Sequence, residues 1–266
     1  MRENVLSLLR KLGLLRVAFY LYEKSKLFQK STREPAFTSD FPIPPKDLRI
    51  KVAGSKDGQW FLEGGENGFD CVLECLKRTS IDICQLKSIL DFGCGCGRVL
   101  RYWHNIPDME INGCDYNPRL ISWCKKNIPF GHYVVNQLEP PTPYPEHKFG
   151  LIYAFSVFTH LPEDLQLAWF REMRRILVLR GYLIFSTQGD RYMNKFSNTE
   201  RNDYLSGKLV VRYQEGSGTN LCSAFHSEKY VRKVLADGFD VIDFIPEGAK
   251  GNPFQDLYLL RAKLET

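Results

Sequence analysis

The feature that most constrains this chain is a run of alternating glycines, Asp91-Phe92-Gly93-Cys94-Gly95-Cys96-Gly97-Arg98, set directly after the apolar stretch Ser88-Ile89-Leu90. Glycines at every second position cost backbone entropy and add no packing. They belong where a chain must turn sharply or let another group approach its main chain closely. A strand that ends in such a turn and opens a helix presents backbone N–H groups suited to an anion such as a carboxylate. The spacing is G-x-G-x-G, and Arg98 stands where the dinucleotide fingerprint G-x-G-x-x-G has a small residue, which disfavours a pyrophosphate ligand. Without a ligand, the same run is a tight strand–helix turn.

From residue 86 onward, short apolar runs alternate with amphipathic segments. The pattern predicts strands at Ser88–Asp91, Glu110–Cys114, His132–Val135, Phe149–Phe155 and Tyr182–Thr187. It predicts helices at Arg98–His104, Pro118–Lys126 and Glu163–Val178. Such alternation implies a doubly wound, mostly parallel α/β sheet with right-handed crossovers. Beyond Gln188 the pattern loosens to strands at Leu209–Tyr213, Asp240–Phe244 and Asp256–Arg261 and a helix at Ser227–Ala236. The last two strands have no room between them for a crossover helix and must pair antiparallel, which predicts a seven-stranded sheet with an antiparallel last strand.

The N-terminal part has a different texture. Residues 1–28 read as a helix with apolar positions 5, 8, 9, 12, 15 and 19, and Glu34–Pro45 is a proline-rich connector. Residues 59–78 read as a second helix, with Asn67-Gly68 as a break. Residues 1–45 are thus expected to form an appendage and 46–266 the main domain. Residues 1–34 hold eight basic and three acidic residues, which accounts for the whole net charge of +5 and leaves the remainder neutral. A neutral body argues against a nucleic-acid partner. The basic amphipathic arm has three readings: peripheral contact with an anionic membrane, a lid over the site, or packing on a second subunit. No apolar run reaches the roughly 18 residues of a membrane span, and no signal peptide is apparent. The eight cysteines are therefore expected as free thiols of a cytoplasmic protein, membrane-associated in the first of those readings. Cys94 and Cys96 form a C-x-C without partners at metal spacing, so no metal is expected.

The second chemical signal is Asp115, which closes the strand after the glycine run. An acidic side chain there suits the two hydroxyls of a ribose, and its bland role is to cap the helix at Pro118, which Asn117 would serve better. With both signals in hand, the sequence resembles the class I, seven-stranded, Rossmann-like S-adenosylmethionine-dependent methyltransferases over about residues 60–264, most specifically 88–187. The resemblance is nearest to their bacterial small-molecule and glycan-type branch, through a Trp-Phe helix, the loop Asp91 to Arg98 and the late Gln255-Asp256-Leu257-Tyr258. It implies S-adenosylmethionine as cofactor, held by Asp91, Gly93, Cys94, Gly95, Gly97, Asp115, Tyr116, Asn136, Gln137, Leu138 and Phe155. It also implies methyl transfer to a small or glycan-like acceptor, at a hydroxyl oxygen. Gly150 departs from the pattern, since many relatives carry an aspartate at the head of this strand. Asn136-Gln137-Leu138-Glu139-Pro140-Pro141 resembles the motif of amino-methyltransferases only superficially. That chemistry uses the loop after the fourth strand, which here reads Ala154-Phe155-Ser156-Val157.

His160, beyond the fourth strand, is the candidate catalytic base for the acceptor's proton, with shaping of the pocket as its other reading. Glu163 and Asp164 suit the N-terminus of the following helix. Arg191, Tyr192 and His226 are weaker candidates for the acceptor side. Two rival functions remain open at this level: an NAD(P)-linked oxidoreductase on a similar sheet, and a non-catalytic partner subunit with the same fold.

Overall fold

The short runs of β-branched, leucine and aromatic residues fold as strands. The computed structural model describes residues 8–28, 39–252 and 254–264. Among these, nine strands form one sheet: β1 (Ser88–Phe92), β2 (Glu110–Asp115), β3 (His132–Val135), β4 (Phe149–Ala154), β5 (Leu177–Gln188), β6 (Val210–Arg212), β7 (Ser223–Phe225), β8 (Phe239–Ile245) and β9 (Gln255–Ala262). The order β3-β2-β1-β4-β5 is parallel throughout. Next, β9 pairs antiparallel with β5, from Tyr182↔Arg261 to Gln188↔Gln255, and β8 pairs antiparallel with β9. These seven strands are the mostly parallel sheet with an antiparallel last strand that the sequence predicts. The three-residue strands β7 and β6 extend it from the end of β5 through the single pairing Gln188↔Phe225.

Alternate side chains feed two cores, as the period of two in a strand requires. Ile89, Leu151, Tyr153, Ile184, Leu257 and Leu259 point to one face. There they meet α2 (Lys46–Ala53), α3 (Gly58–Arg78), a 3₁₀ turn at Leu100–Asn105 and α4 (Pro118–Asn127), where α1 is Leu15–Lys26. Leu90, Phe92, Ile152, Leu183, Phe185, Tyr258 and Leu260 point to the other face, against α5 (Glu163–Ile176). Trp169 of α5 stacks near Phe92 at 4.7 Å between ring centroids.

Several elements differ from the expectation. The helix read over 1–28 breaks at Gly13 (φ +68°), and its first seven residues lie outside the described ones, as do residues 34–38 of the connector. Pro45 then opens α2, which is too short and too polar to show a period. Helix α3 runs unbroken through Asn67-Gly68. The Arg98–His104 helix is instead a 3₁₀ turn, and Leu177-Val178 are strand, not the end of α5. Helix α6 (Asn198–Ser206), opened by a capping box between Ser197 and Glu200, has almost no apolar stripe and no signal in the period. The Ser227–Ala236 helix is one α-turn, α7 (Glu228–Tyr230), continued by a π-turn at Val231–Leu235.

Gly150 has a steric explanation. A Cβ there would sit 2.1 Å from the carbonyl oxygen of Leu86, so the start of β4 has no room for the aspartate common at this position.

Candidate functional site

A parallel sheet carries its loops for ligands at the carboxyl ends of its strands. Here the loops after β1, β2, β3 and β4 enclose a cavity of about 350 Å³. Of the residues singled out from sequence, Asp91, Gly93, Cys94, Gly95, Asp115, Tyr116, Asn136, Gln137, Leu138, Phe155 and His160 all line it. Gly97 does not. Its φ is +70°, and a Cβ there would lie 2.4 Å from Ile128 Cδ1, so it fits the loop against α4 and leaves the cavity wall to its neighbours.

The loop after β1 is held by its own backbone and by Asp115. Gly93 N–H and Cys94 N–H both donate to Cys114 O at 2.9 Å. Gly93 and Gly95 take φ of +75° and +57°, and a Cβ on either would run into the valines Val157 or Val52 across the cavity wall, at 2.5 and 2.7 Å. The expected helix N-terminus does not follow this loop; a series of turns does. The Asp115 carboxylate accepts the N–H of Gly95 at 3.0 Å and the N–H of Asn117 at 2.8 Å. Asn117 in turn caps α4 through the N–H of Arg119. The capping role therefore falls to Asn117, two residues beyond Asp115, as the sequence favours.

Both acids of the site are buried. Burial pushes Asp91 up to about 7, against the pull of Tyr153 and Arg98 beside it. Burial also pushes Asp115 up to about 6, against its two backbone N–H donors. A pocket that raises two carboxylates in this way gains by receiving positive charge.

After β3, Asn136 donates its side-chain N–H to Gln137 O at 2.6 Å, while its Oδ1 is buried with no partner. After β4, Ser156 takes φ +58° and joins a ring of hydrogen bonds across three strand ends. Ser156 N–H donates to Ser186 Oγ (2.8 Å), Ser186 Oγ–H donates to Gln255 Oε1 (2.7 Å), and Gln255 Nε2 donates to Ser156 Oγ (3.0 Å). His160 is half-buried in the following 3₁₀ turn, and its Nδ1 lies 2.7 Å from Cys222 O. A carbonyl only accepts, so Nδ1 carries the proton and Nε2 keeps its lone pair. Burial pulls this imidazole below its ordinary range and keeps it neutral at pH 7.

The weaker candidates lie elsewhere. His226 is fully buried behind the site, with Nε2 2.7 Å from Gln166 Oε1, and desolvation pulls it down to about 3. Tyr192 packs on Phe225, and Arg191 lies over Phe254. None of the three lines the cavity.

Sequence reasoning missed part of the wall. Trp60 of α3, Val52 of α2, Asn220, Asn252 and Gln255 all face the cavity. One signal was available in Gly64, Gly65 and Gly68, a small-residue face on α3. A Cβ on Gly65 would lie 2.0 Å from Arg98 O, so these glycines let α3 press on the end of the glycine loop. Arg98 itself reaches the other way, donating to Gly251 O at 3.1 Å and Asn252 Oδ1 at 2.9 Å, and so ties the late loop to the site.

Residues 90–185, which run from within β1 into β5, match the family described as a methyltransferase domain. Among solved structures, a methyltransferase dependent on S-adenosylmethionine from Mesorhizobium loti superposes with a TM-score of 0.54 at 18% identity, over 73% of this chain and all of that one. The glycopeptide N-methyltransferase MtfA, solved with S-adenosylmethionine, gives 0.53 at 14% identity, over 75% and 95% of the two chains. A methyltransferase of the same dependence from Clostridium acetobutylicum gives 0.52 at 14%, over 75% and 92%. Residues 90–185 thus carry a methyltransferase domain, and the chain shares the fold of these S-adenosylmethionine-dependent methyltransferases.

Proposed function

We propose that this methyltransferase, of the bacterial small-molecule and glycan-type branch, methylates a hydroxyl oxygen of a polyhydroxylated, glycan-like small molecule. In this reading residues 46–266 are the catalytic domain and residues 1–45 the appendage. The observation that carries it is the make-up of one cavity wall: the buried carboxylates of Asp91 and Asp115 with a glycine cradle, and beside them the amides of Asn252 and Gln255, the Ser156 hydroxyl and the Trp60 indole, with Lys51 and Glu23 of opposite charge also in the wall.

The first side fits the cofactor. Asp91 suits its ammonium group and Asp115 the ribose diol, the two raised carboxylates being sites that gain from a cation and from hydroxyl donors. The buried, unpartnered Oδ1 of Asn136 is an acceptor for the amino group of an adenine, with Gln137 beside it and Leu138 and Tyr116 for the flat ring. Gly93, Cys94, Gly95 and Phe155 supply the close main-chain and apolar wall. When bound, S-adenosylmethionine supplies a methyl group on a positively charged sulfur, open to displacement by an oxygen nucleophile.

The second side is left to the acceptor. Trp60 offers an aromatic face, and Ser156, Asn252 and Gln255 offer neutral hydrogen-bonding groups. That set offers hydrogen bonds to hydroxyls, and the Lys51–Glu23 pair in the same wall adds no net charge. A hydroxyl attacking carbon must lose its proton, and the neutral His160, with its lone pair on Nε2, is the group to take it. The protein's contribution is otherwise alignment, which in displacement reactions is a large share of catalysis.

The test is calorimetric titration with S-adenosylmethionine and, separately, NAD, followed by incubation of the protein with methyl-labelled cofactor and a panel of glycans and polyols. Cofactor binding with label appearing as an O-methyl ether supports the proposal. Label confined to amines would overturn the choice of atom, and binding without transfer across the panel would leave a non-catalytic partner subunit.

A further inference from the structure

We propose that α1 docks this protein onto an anionic lipid bilayer through one outward face. Val17, Tyr20, Leu21 and Lys24 recur at helical spacing and fall within a sector about 100° wide at 3.6 residues per turn, and Phe28 follows in the turn just past the helix. All five are exposed, Leu21 at 60% and Phe28 at 86%. The opposite face, with Leu15, Phe19 and Glu23, turns towards the protein, where Leu15 is buried and Glu23 lines the cavity. Among the described residues, eight of the sixteen large exposed hydrophobic side chains lie within 8–28, so the apolar surface is concentrated on this arm.

Charge selects the partner. Residues 8–28 hold Arg10, Lys11, Arg16, Lys24 and Lys26 against one acid, Glu23. That acid faces inward, its carboxylate 3.8 Å from Lys51 Nζ. Arg10 and Arg16 anchor the arm, on the side chain and the carbonyl of Glu215 respectively. Lys26 adds a bond to Gly54 O at 3.1 Å. The outward face is therefore apolar and aromatic with only positive charge, Lys24 lying 5.5 Å from the Tyr20 ring centroid. Before the break at Gly13, Leu8, Lys11 and Leu12 are exposed as well. A protein partner would more often meet such a stripe with acids in fixed places. Tyrosine, lysine and aliphatic side chains on one exposed helix face match the headgroup boundary of a negatively charged bilayer, where apolar burial and charge attraction add. No helix among the described residues is long and apolar enough to cross a membrane, so α1 would lie in the surface plane.

The experiment is co-sedimentation of the full chain with vesicles of equal parts phosphatidylglycerol and phosphatidylcholine, and with phosphatidylcholine alone. Binding is expected on the first and at least about tenfold weaker on the second, with loss on raising the salt. Lys11→Glu/Lys24→Glu should lower binding by about tenfold or more, since about 1 kcal/mol per basic residue is removed and repulsion added. Leu21→Glu should do likewise, while both variants keep the wild-type unfolding temperature because these side chains are exposed. Failure to bind anionic vesicles, equal binding to neutral ones, or undiminished binding by the variants would overturn the proposal. So would a dimer by light scattering that Leu21→Glu dissociates, since a second copy would then cover the stripe.

Discussion

Replacing Asp115 by asparagine separates what this residue does for the fold from what it does for the ligand. The carboxylate is buried, accepts two backbone N–H groups, and is pushed by burial from its ordinary 3.8 up to about 6. A rise of about two units corresponds to about 3 kcal/mol against the ionised form in the folded chain. Asparagine removes that charge. It also replaces one acceptor oxygen by a donor, leaving one of the N–H groups of Gly95 or Asn117 unsatisfied at a cost of about 1–3 kcal/mol. The two effects oppose one another. At pH 8 the net change in stability should stay within about 2 kcal/mol, or less than about 8 °C in Tm. Cofactor binding has no such compensation. Loss of a charged acceptor for a diol should cost about 1.5–3 kcal/mol, a rise in Kd of about 10- to 150-fold. Calorimetric titration with S-adenosylmethionine and thermal unfolding of the same samples at pH 8 measure both. A Kd within twofold of the native protein would refute the diol assignment. A fall in Tm well beyond 8 °C with affinity retained would make Asp115 a brace for the glycine loop and nothing more.

Other substitutions probe other parts of the site. Gly65→Ala would press a methyl group into the carbonyl of Arg98, 2.0 Å away, and should lower stability by about 1–3 kcal/mol in a denaturant titration; an unchanged midpoint would mean that α3 does not press on the loop. His160→Gln should lower kcat by about 10²-fold or more if the imidazole takes the acceptor's proton, with cofactor Kd unchanged; a loss of affinity with kcat retained would assign His160 to holding the loop at Cys222. Cofactor affinity should be full above about pH 7.5 and fall as the pH drops through about 7 and 6, because Asp91 and Asp115 take up protons there in the free protein. Affinity independent of pH between 5 and 8 would show that neither carboxylate meets the cofactor.

The parts of this site that were legible in the sequence are those whose chemistry is local. A strand, a turn needing positive φ and the next strand's terminal acid lie within 25 residues of one another, and each leaves its mark in residue type. The centre of the sheet was legible for the same reason, since β1 and β4 are short runs buried on both faces. What could not be read is tertiary. Gln255 reaches Ser156 across 99 positions, and Arg98 reaches Asn252 across 154. Trp60 enters the wall because three glycines let α3 approach. His226 looked like a site residue because histidine in an irregular region is a common functional sign, yet Gln166 holds it in the core.

The same burial sets both the weakness of the free protein and the strength of its site. Asp91 and Asp115 bind protons more tightly in the folded chain than in the unfolded one, so their ionisation above about pH 7 opposes folding. In the free protein their contribution therefore improves as the pH falls from about 7 towards 4, below which the unfolded chain takes up the same protons. A cofactor that brings positive charge reverses this. It favours the ionised carboxylates, and its stabilisation should be greatest where the free protein is least helped, above pH 7. Relative to an Asp91→Asn/Asp115→Asn variant, which shares the opposing loss from the depressed His160 and His226, the unfolding temperature of the free protein should thus rise on mild acidification, while the increment added by saturating S-adenosylmethionine shrinks over the same interval. Two oppositely sloped curves are the signature of carboxylates buried for a ligand's sake. Parallel curves would mean that they are buried for packing alone.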